Sequence, residues 1–136
     1  MLLSDADTTL ILETVRDAAR REIMPRFRAL SEADINTKSA PDDLVTAADL
    51  AAEALITAQL GRAFPDALIL GEEAVAADPN LRDQLADAEM AIIIDPVDGT
   101  WNYARGLALF GVILAVTRYG IPVYGLLYDP VMDDWV

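Results

Sequence analysis

The sequence predicts an α+β fold: two helices first, then a run of strands forming a largely antiparallel sheet on which the helices pack. Three observations carry this. Apolar residues recur at helical spacing early in the chain, at Leu12, Val15, Ala19, Ile23 and Phe27. Short apolar runs without helical period follow, at residues 67–70 and 91–94. Two β-rich runs, 110–119 and 121–128, flank Gly120 and read as a hairpin. A chain of 136 residues, 54% of them hydrophobic, fits one domain with a sizeable core.

The first helix is expected over residues 8–30, with a kink or an early end at Pro25, which lacks the amide a helix interior needs. Residues 31–43 are polar, hold Lys38 and Pro41, and show no helical stripe, so they read as a surface loop. The second helix is expected over residues 46–60. Thr46 and Asp49 have capping-box spacing at its start, and Gly61 reads as its stop. The strand at 67–70 leads into Gly71-Glu72-Glu73. In an extended backbone neighbouring side chains point to opposite faces, so one glutamate of this pair faces any shared ligand. Residues 74–89 read as a loop with a short helix near 80–85, and residues 101–106 as one helical turn. Residues 131–136 read as the start of a further strand, with Asp129, Asp133 and Asp134 as turn residues.

The centre of the chain is Ile92-Ile93-Ile94-Asp95-Pro96-Val97-Asp98-Gly99-Thr100-Trp101-Asn102. A β-branched run, read as a buried strand, breaks at Asp95 into a tight polar turn. Pro96 removes a backbone donor and Gly99 lets the turn close. Asp95 and Asp98, with the Val97 carbonyl between them and the Thr100 hydroxyl after them, form an all-oxygen set suited to Mg²⁺ or Ca²⁺. On this motif alone a plain turn is an equally good reading, because Asp, Pro and Gly are the commonest turn residues. The pair Glu72-Glu73, which follows a second strand, adds weight to the cation reading. The carboxylates alone would repel a phosphate, whereas bound cations would invert that field, and the helix start after Gly99 would present amides to it.

Composition narrows the function. A net charge of −13 argues against nucleic-acid binding. A solvated acidic surface explains such a charge as readily as a cation site does. The chain has neither His nor Cys, so any hydrolysis relies on carboxylates, hydroxyls or a metal ion, and there is no thiolate nucleophile or disulfide framework. Met1-Leu2-Leu3-Ser4-Asp5 lacks the regions of a signal peptide, and no apolar run is long enough to span a bilayer. A soluble cytoplasmic protein with no membrane partner is the expectation.

Gly71-Glu72-Glu73 together with Asp95-Pro96-Val97-Asp98-Gly99-Thr100-Trp101-Asn102 resembles the inositol monophosphatase family of metal-dependent phosphomonoesterases. Residues 38–49, Phe64-Pro65-Asp66 and residues 120–130 are similar to the family in register. The resemblance covers nearly all of the chain but only the N-terminal half of the family, so residues 1–136 are expected to form an N-terminal metal-binding domain. It implies a layered α/β sandwich, commonly a homodimer, and hydrolysis of a small phosphorylated metabolite with two or three Mg²⁺ ions.

The resemblance also assigns roles. Glu72, Asp95 and the Val97 carbonyl would hold one ion, and Asp95 and Asp98 a second. Thr100, with Glu72, would orient the attacking water, and Asp49 would hold Thr100. The Gly99 and Thr100 amides would bind the phosphate. Lys38 would lie on a flap near water or phosphate, with an ordinary solvated lysine as the alternative. For Asp49, helix capping is the structural alternative, and both roles can hold together. The family's metal-binding Asp from its C-terminal half is absent here, and Trp101 and Tyr103 replace the commoner Thr and Phe. Of these, Tyr for Phe is expected to matter little. Inositol monophosphate is the implied substrate. Histidinol phosphate, fructose bisphosphate and adenosine bisphosphate are alternatives within the chemistry, and a non-catalytic dimerisation or regulatory module is the alternative of another class.

Overall fold

Ser4 opens the first helix. Its hydroxyl and amide donate to the Asp7 carboxylate, and the Asp7 amide donates back to its hydroxyl, a reciprocal cap that starts α1 (Asp5–Ala18) ahead of the expected residue 8. The computed structural model describes residues 3–136, so Met1 and Leu2 of the N-terminal stretch lie outside the described residues. The helix continues through a π turn (Ala19–Ile23) and a 3-10 turn (Met24–Arg26), and Phe27 is extended. Pro25 accounts for the change, since it cannot extend the amide ladder. The expected early end is there, and residues 27–30 lie outside the helix.

The segment expected as a surface loop contains a hairpin. Here β1 (Ile35–Thr37) pairs antiparallel with β2 (Leu44–Thr46), with Ile35 opposite Thr46. Asp43 closes the tip. Its carbonyl accepts from the Lys38 amide at 2.7 Å, and its carboxylate accepts from the Ser39 hydroxyl. Strands of three residues carry too little alternation to stand out in a sequence.

The second helix, α2 (Ala47–Ala63), starts at the expected Thr46 cap but runs past Gly61. Its terminator is Phe64, whose backbone (φ −127°, ψ 71°) has left the helical region because Pro65 follows.

Among the described residues, five strands form the main sheet, in the order β3 (Leu68–Gly71), β4 (Ala91–Asp98), β5 (Gly111–Arg118), β6 (Ile121–Asp129) and β7 (Asp134–Trp135). All neighbours are antiparallel except β3 and β4, which run parallel. A parallel pair needs a long crossover. It is supplied by α3 (Glu72–Ala77) and a 3-10 turn (Pro79–Gln84), where the sequence suggested mostly loop. The hairpin of β5 and β6 turns on Tyr119 (φ 49°) and Gly120 (φ 77°), the two left-handed residues that a two-residue turn requires. Of the further strand expected over residues 131–136, residues 134–135 form β7, extended by reciprocal bonds of Val136 with Leu127 at 2.9 and 3.0 Å, while residues 131–133 are turn; Asp134, expected in the turn, is in the strand.

The first two helices cover one face of this sheet. Ile11 and Val15 of α1 and Ile56 and Leu60 of α2 are fully buried against Ile92, Ile94, Val112, Leu114 and Val116. Truncating any one of the larger of these to alanine would cost about 2–5 kcal/mol. No helix among the described residues is long and apolar enough to cross a membrane.

Candidate active site

The parallel register of β3 and β4 brings the acids together. Gly71 lies opposite Ile94, so Glu72 and Asp95 leave the two strands side by side. The sequence ended the strand at Asp95, but pairing with β5 continues through Asp98. Between Asp95 (opposite Ile113) and Asp98 (opposite Gly111) β4 has one residue more than β5, a bulge that accommodates Pro96. Gly99 then turns the chain at φ 85°, where a Cβ would lie 2.8 Å from the Leu109 carbonyl oxygen. The helix α4 (Thr100–Ala104) follows at once, one residue earlier than expected.

Asp49 both caps and connects. Its Oδ2 accepts from the Thr46 amide at 2.9 Å and the Thr46 hydroxyl at 2.6 Å, while Oδ1 lies 3.1 Å from Thr100 Oγ1. The same Thr100 hydroxyl lies 2.8 Å from the Val97 carbonyl oxygen. Asp49 is wholly buried, and burial pushes its carboxyl above the ordinary aspartate range despite the hydrogen bonds from Thr46 and Thr100.

Asp95 lies at the centre of the acidic groups. Burial, then a hydrogen bond that the protonated acid donates to Glu72, then the charges of Glu72, Asp98 and Asp49 push its carboxyl up to about 8. Its Oδ1 is buried with no hydrogen-bond partner among the described residues. Glu72 and Asp98 are exposed at the rim. Lys38, at the end of β1, brings its ammonium 3.4 Å from Glu72 Oε1 and 2.9 Å from Glu73 Oε1. Burial works against that ammonium, but the bond to Glu73 and the two glutamate charges leave its pKa raised.

Glu73 therefore corrects the sequence reading. The backbone at Glu72 and Glu73 is helical, not extended, so both carboxylates face Lys38. The candidate donors are the carboxylates of Glu72, Asp95 and Asp98 and the Val97 carbonyl, all hard oxygens of the kind that suit Mg²⁺. Among the described residues, no three acidic side chains are already drawn together as a cage for a cation.

One neighbour of the site was not singled out by sequence, and a second, Tyr103, was named but discounted. Glu53 on α2 accepts from the Glu73 amide at 2.8 Å and the Ala74 amide at 3.0 Å. Its spacing of one helical turn from Asp49 is the signal that could have found it. Tyr103 is fully buried and its hydroxyl donates to the Ile23 carbonyl at 2.7 Å, so the hydroxyl that the sequence reading discounted has a partner. Trp101 is 39% exposed, with the Arg105 guanidinium 3.5 Å from its ring centroid.

The model of the inositol monophosphatase family matches residues 5–136. An inositol-1-monophosphatase of Mesorhizobium japonicum is 35% identical over 116 residues, covering 85% of this chain and 41% of that protein. One of Bacillus subtilis is 33% identical over 121 residues, covering 88% of this chain and 42% of that protein. Among solved structures, the extragenic suppressor protein SuhB of Bartonella henselae superposes with a TM-score of 0.79 at 26% identity, covering 96% of this chain and 48% of that one. The chain thus spans less than half the length of each of these relatives. With the family model matched over residues 5–136 and the fold shared with the Bartonella henselae protein, this chain belongs to the inositol monophosphatase family.

Proposed function

We propose that this site hydrolyses a phosphate monoester with Mg²⁺ as cofactor, and that the monoester is inositol monophosphate. The observation that carries the reading is Asp95. It is a carboxylate with a buried, unpartnered oxygen, held at about 8 by burial and by the acids around it. A cation bound there would displace that proton and relieve the repulsion among the acids, which couples metal binding to deprotonation. Glu72, Asp95 and the Val97 carbonyl would hold one ion, and Asp95 and Asp98 a second. When bound, Mg²⁺ would supply Lewis acidity there, offsetting the charge that repels phosphate and lowering the pKa of water.

The chain's own groups orient the reactants. Thr100 Oγ1 has one proton and two acceptors in reach, Asp49 Oδ1 and the Val97 carbonyl. With that carbonyl engaged elsewhere, the hydroxyl donates to Asp49 and keeps its lone pairs for the attacking water. Glu72 accepts from the same water, whose oxygen attacks phosphorus as the alcohol departs. The Gly99 and Thr100 amides and the Lys38 ammonium bind phosphate oxygens. The choice of inositol monophosphate is supported by the names of the Mesorhizobium japonicum and Bacillus subtilis relatives.

The test is Mg²⁺-dependent phosphate release from inositol monophosphate by the 136-residue chain and by the same chain extended to the length of its relatives. Release is expected from the extended protein and is expected to vanish with Asp95→Asn while the fold persists. Release that survives this substitution would sink the assignment.

A further inference from the structure

We infer that Glu53 is a positioning residue of this site, which sets Glu72 in place by capping α3; the inference rests on the cation reading of Glu72 above. Glu53 Oε1 accepts from the Glu73 amide at 2.8 Å and Oε2 from the Ala74 amide at 3.0 Å. The first turn of a helix leaves such amides without intrahelical partners. The residue preceding α3, Gly71, has no side chain to cap them, so the cap comes from another helix. It acts at the junction where the parallel strand β3 becomes α3 and Glu72 leaves the sheet.

Gly71 is the second part of the device. Its φ of −85° suits any residue, so conformational freedom is not the reason for a glycine. Space is the reason. A Cβ at this position would lie 2.0 Å from Glu53 Cδ and 2.2 Å from Glu53 Oε1. The carboxylate of Glu53 thus crosses over Gly71 to reach the amides beyond it.

Asp49 and Glu53 are one helical turn apart on α2. Asp49 reaches Thr100 at the start of α4, and Glu53 reaches the residues next to Glu72 at the start of α3. One stretch of α2 therefore aligns two groups that come from opposite sides of the candidate site. A displaced α3 would carry Glu72 away from Asp95 while leaving the core of the sheet intact.

The test is Mg²⁺ binding to the 136-residue chain by titration calorimetry, each variant held well below its own melting temperature. Glu53→Ala is expected to weaken binding about ten-fold, the scale seen when groups supporting a metal ligand are removed. Glu53→Gln, which keeps one carbonyl acceptor, is expected to weaken it less. Gly71→Ala is expected to match Glu53→Ala, and to add nothing in the Glu53→Ala background, where the space is vacant. Leu60→Ala, buried at the far end of α2, loses stability without touching the cap and is expected to keep full affinity. Unchanged affinity in Glu53→Ala overturns the inference, as does a Gly71→Ala penalty that persists when Glu53 is absent. Hydrogen exchange separates the two ways of failing. Faster exchange at the Glu73 and Ala74 amides in Glu53→Ala reports the cap without any cation. If the unaltered chain takes up no Mg²⁺, the cation reading fails and the positioning role fails with it, whatever the exchange rates show of the cap.

Discussion

The Tyr103 hydroxyl donates to the Ile23 carbonyl at 2.7 Å and so ties the end of the first helix to α4, the helix that begins with Thr100. In a continuous α-helix the Ile23 carbonyl would accept from the Phe27 amide. Here that amide bonds to the Met24 carbonyl instead, at 3.2 Å. The tightened turn around Pro25 therefore frees an acceptor in the core, and Tyr103 takes it. The rings of Phe27, Tyr103 and Phe110 pack around this bond with centroids 4.9–5.7 Å apart.

Tyr103→Phe keeps the ring but leaves the Ile23 carbonyl buried and unpaired. A loss of about 1–3 kcal/mol in urea unfolding is expected, with an unchanged denaturant slope. Wild-type stability in this variant would mean that another donor satisfies the carbonyl.

Asp95 makes the cation-free protein sensitive to pH. Its carboxyl is raised from 3.8 to about 8, so the folded state holds a proton through that window which the unfolded chain has released. Stability from this group is therefore full below about 4 and is lost as pH rises towards 8. Asp95→Asn removes the titration. In chelator, thermal melts of the variant should lie above wild type at pH 8 and converge with it near pH 4. Added Mg²⁺ should raise the melting temperature of wild type alone. A variant that melts below wild type at pH 8 in chelator would contradict the burial argument.

Much of this was readable from local signals, and the rest depended on distant partners. Thr46 and Asp49 announce the start of α2 because a capping box is complete within four residues. The β-branched run at 92–94 and the turn at Tyr119 and Gly120 are equally self-contained. By contrast, α3 begins at Glu72 with a cap supplied by Glu53, about twenty residues earlier, and no periodicity records that contact. The same distance hid the orientation of Glu73. The parallel register that places Glu72 beside Asp95 is likewise a property of the crossover and not of either strand. The continuation of α2 past Gly61 shows a weak local stop yielding to a stronger one, Pro65.

Gly99 should not tolerate a side chain. Its φ of 85° is strained for any L-residue, and a Cβ would lie 2.8 Å from the Leu109 carbonyl oxygen, which belongs to backbone and cannot swing away. Gly99→Ala is expected to cost about 1–3 kcal/mol. Because Gly99 sits between Asp98 and Thr100, the same change should weaken Mg²⁺ binding as well. Calorimetric titration beside urea unfolding checks both, and an unperturbed value in either would show that the turn can relax.

Asp133, which reads as a turn residue and does have a left-handed φ of 50°, also holds β7 to α1. Arg16 grips its two oxygens at 2.9 and 2.7 Å, and the Tyr128 hydroxyl donates to Oδ1 at 2.7 Å. The Arg16 guanidinium also lies over the Trp135 ring, 5.2 Å from its centroid. The hydrogen bond from Arg16, followed by that from Tyr128, lowers the Asp133 carboxyl from 3.8 to about 2. Here the unfolded chain takes up a proton before the folded one does. The group's contribution is therefore full above about 4 and is lost as pH falls towards 2, the reverse of Asp95. The cluster is exposed, so the contribution should shrink with added salt. Melting curves of wild type and Asp133→Asn at low ionic strength should differ above pH 4 and converge near pH 2. A constant difference across that range would assign the role of Asp133 to its backbone conformation and not to its charge.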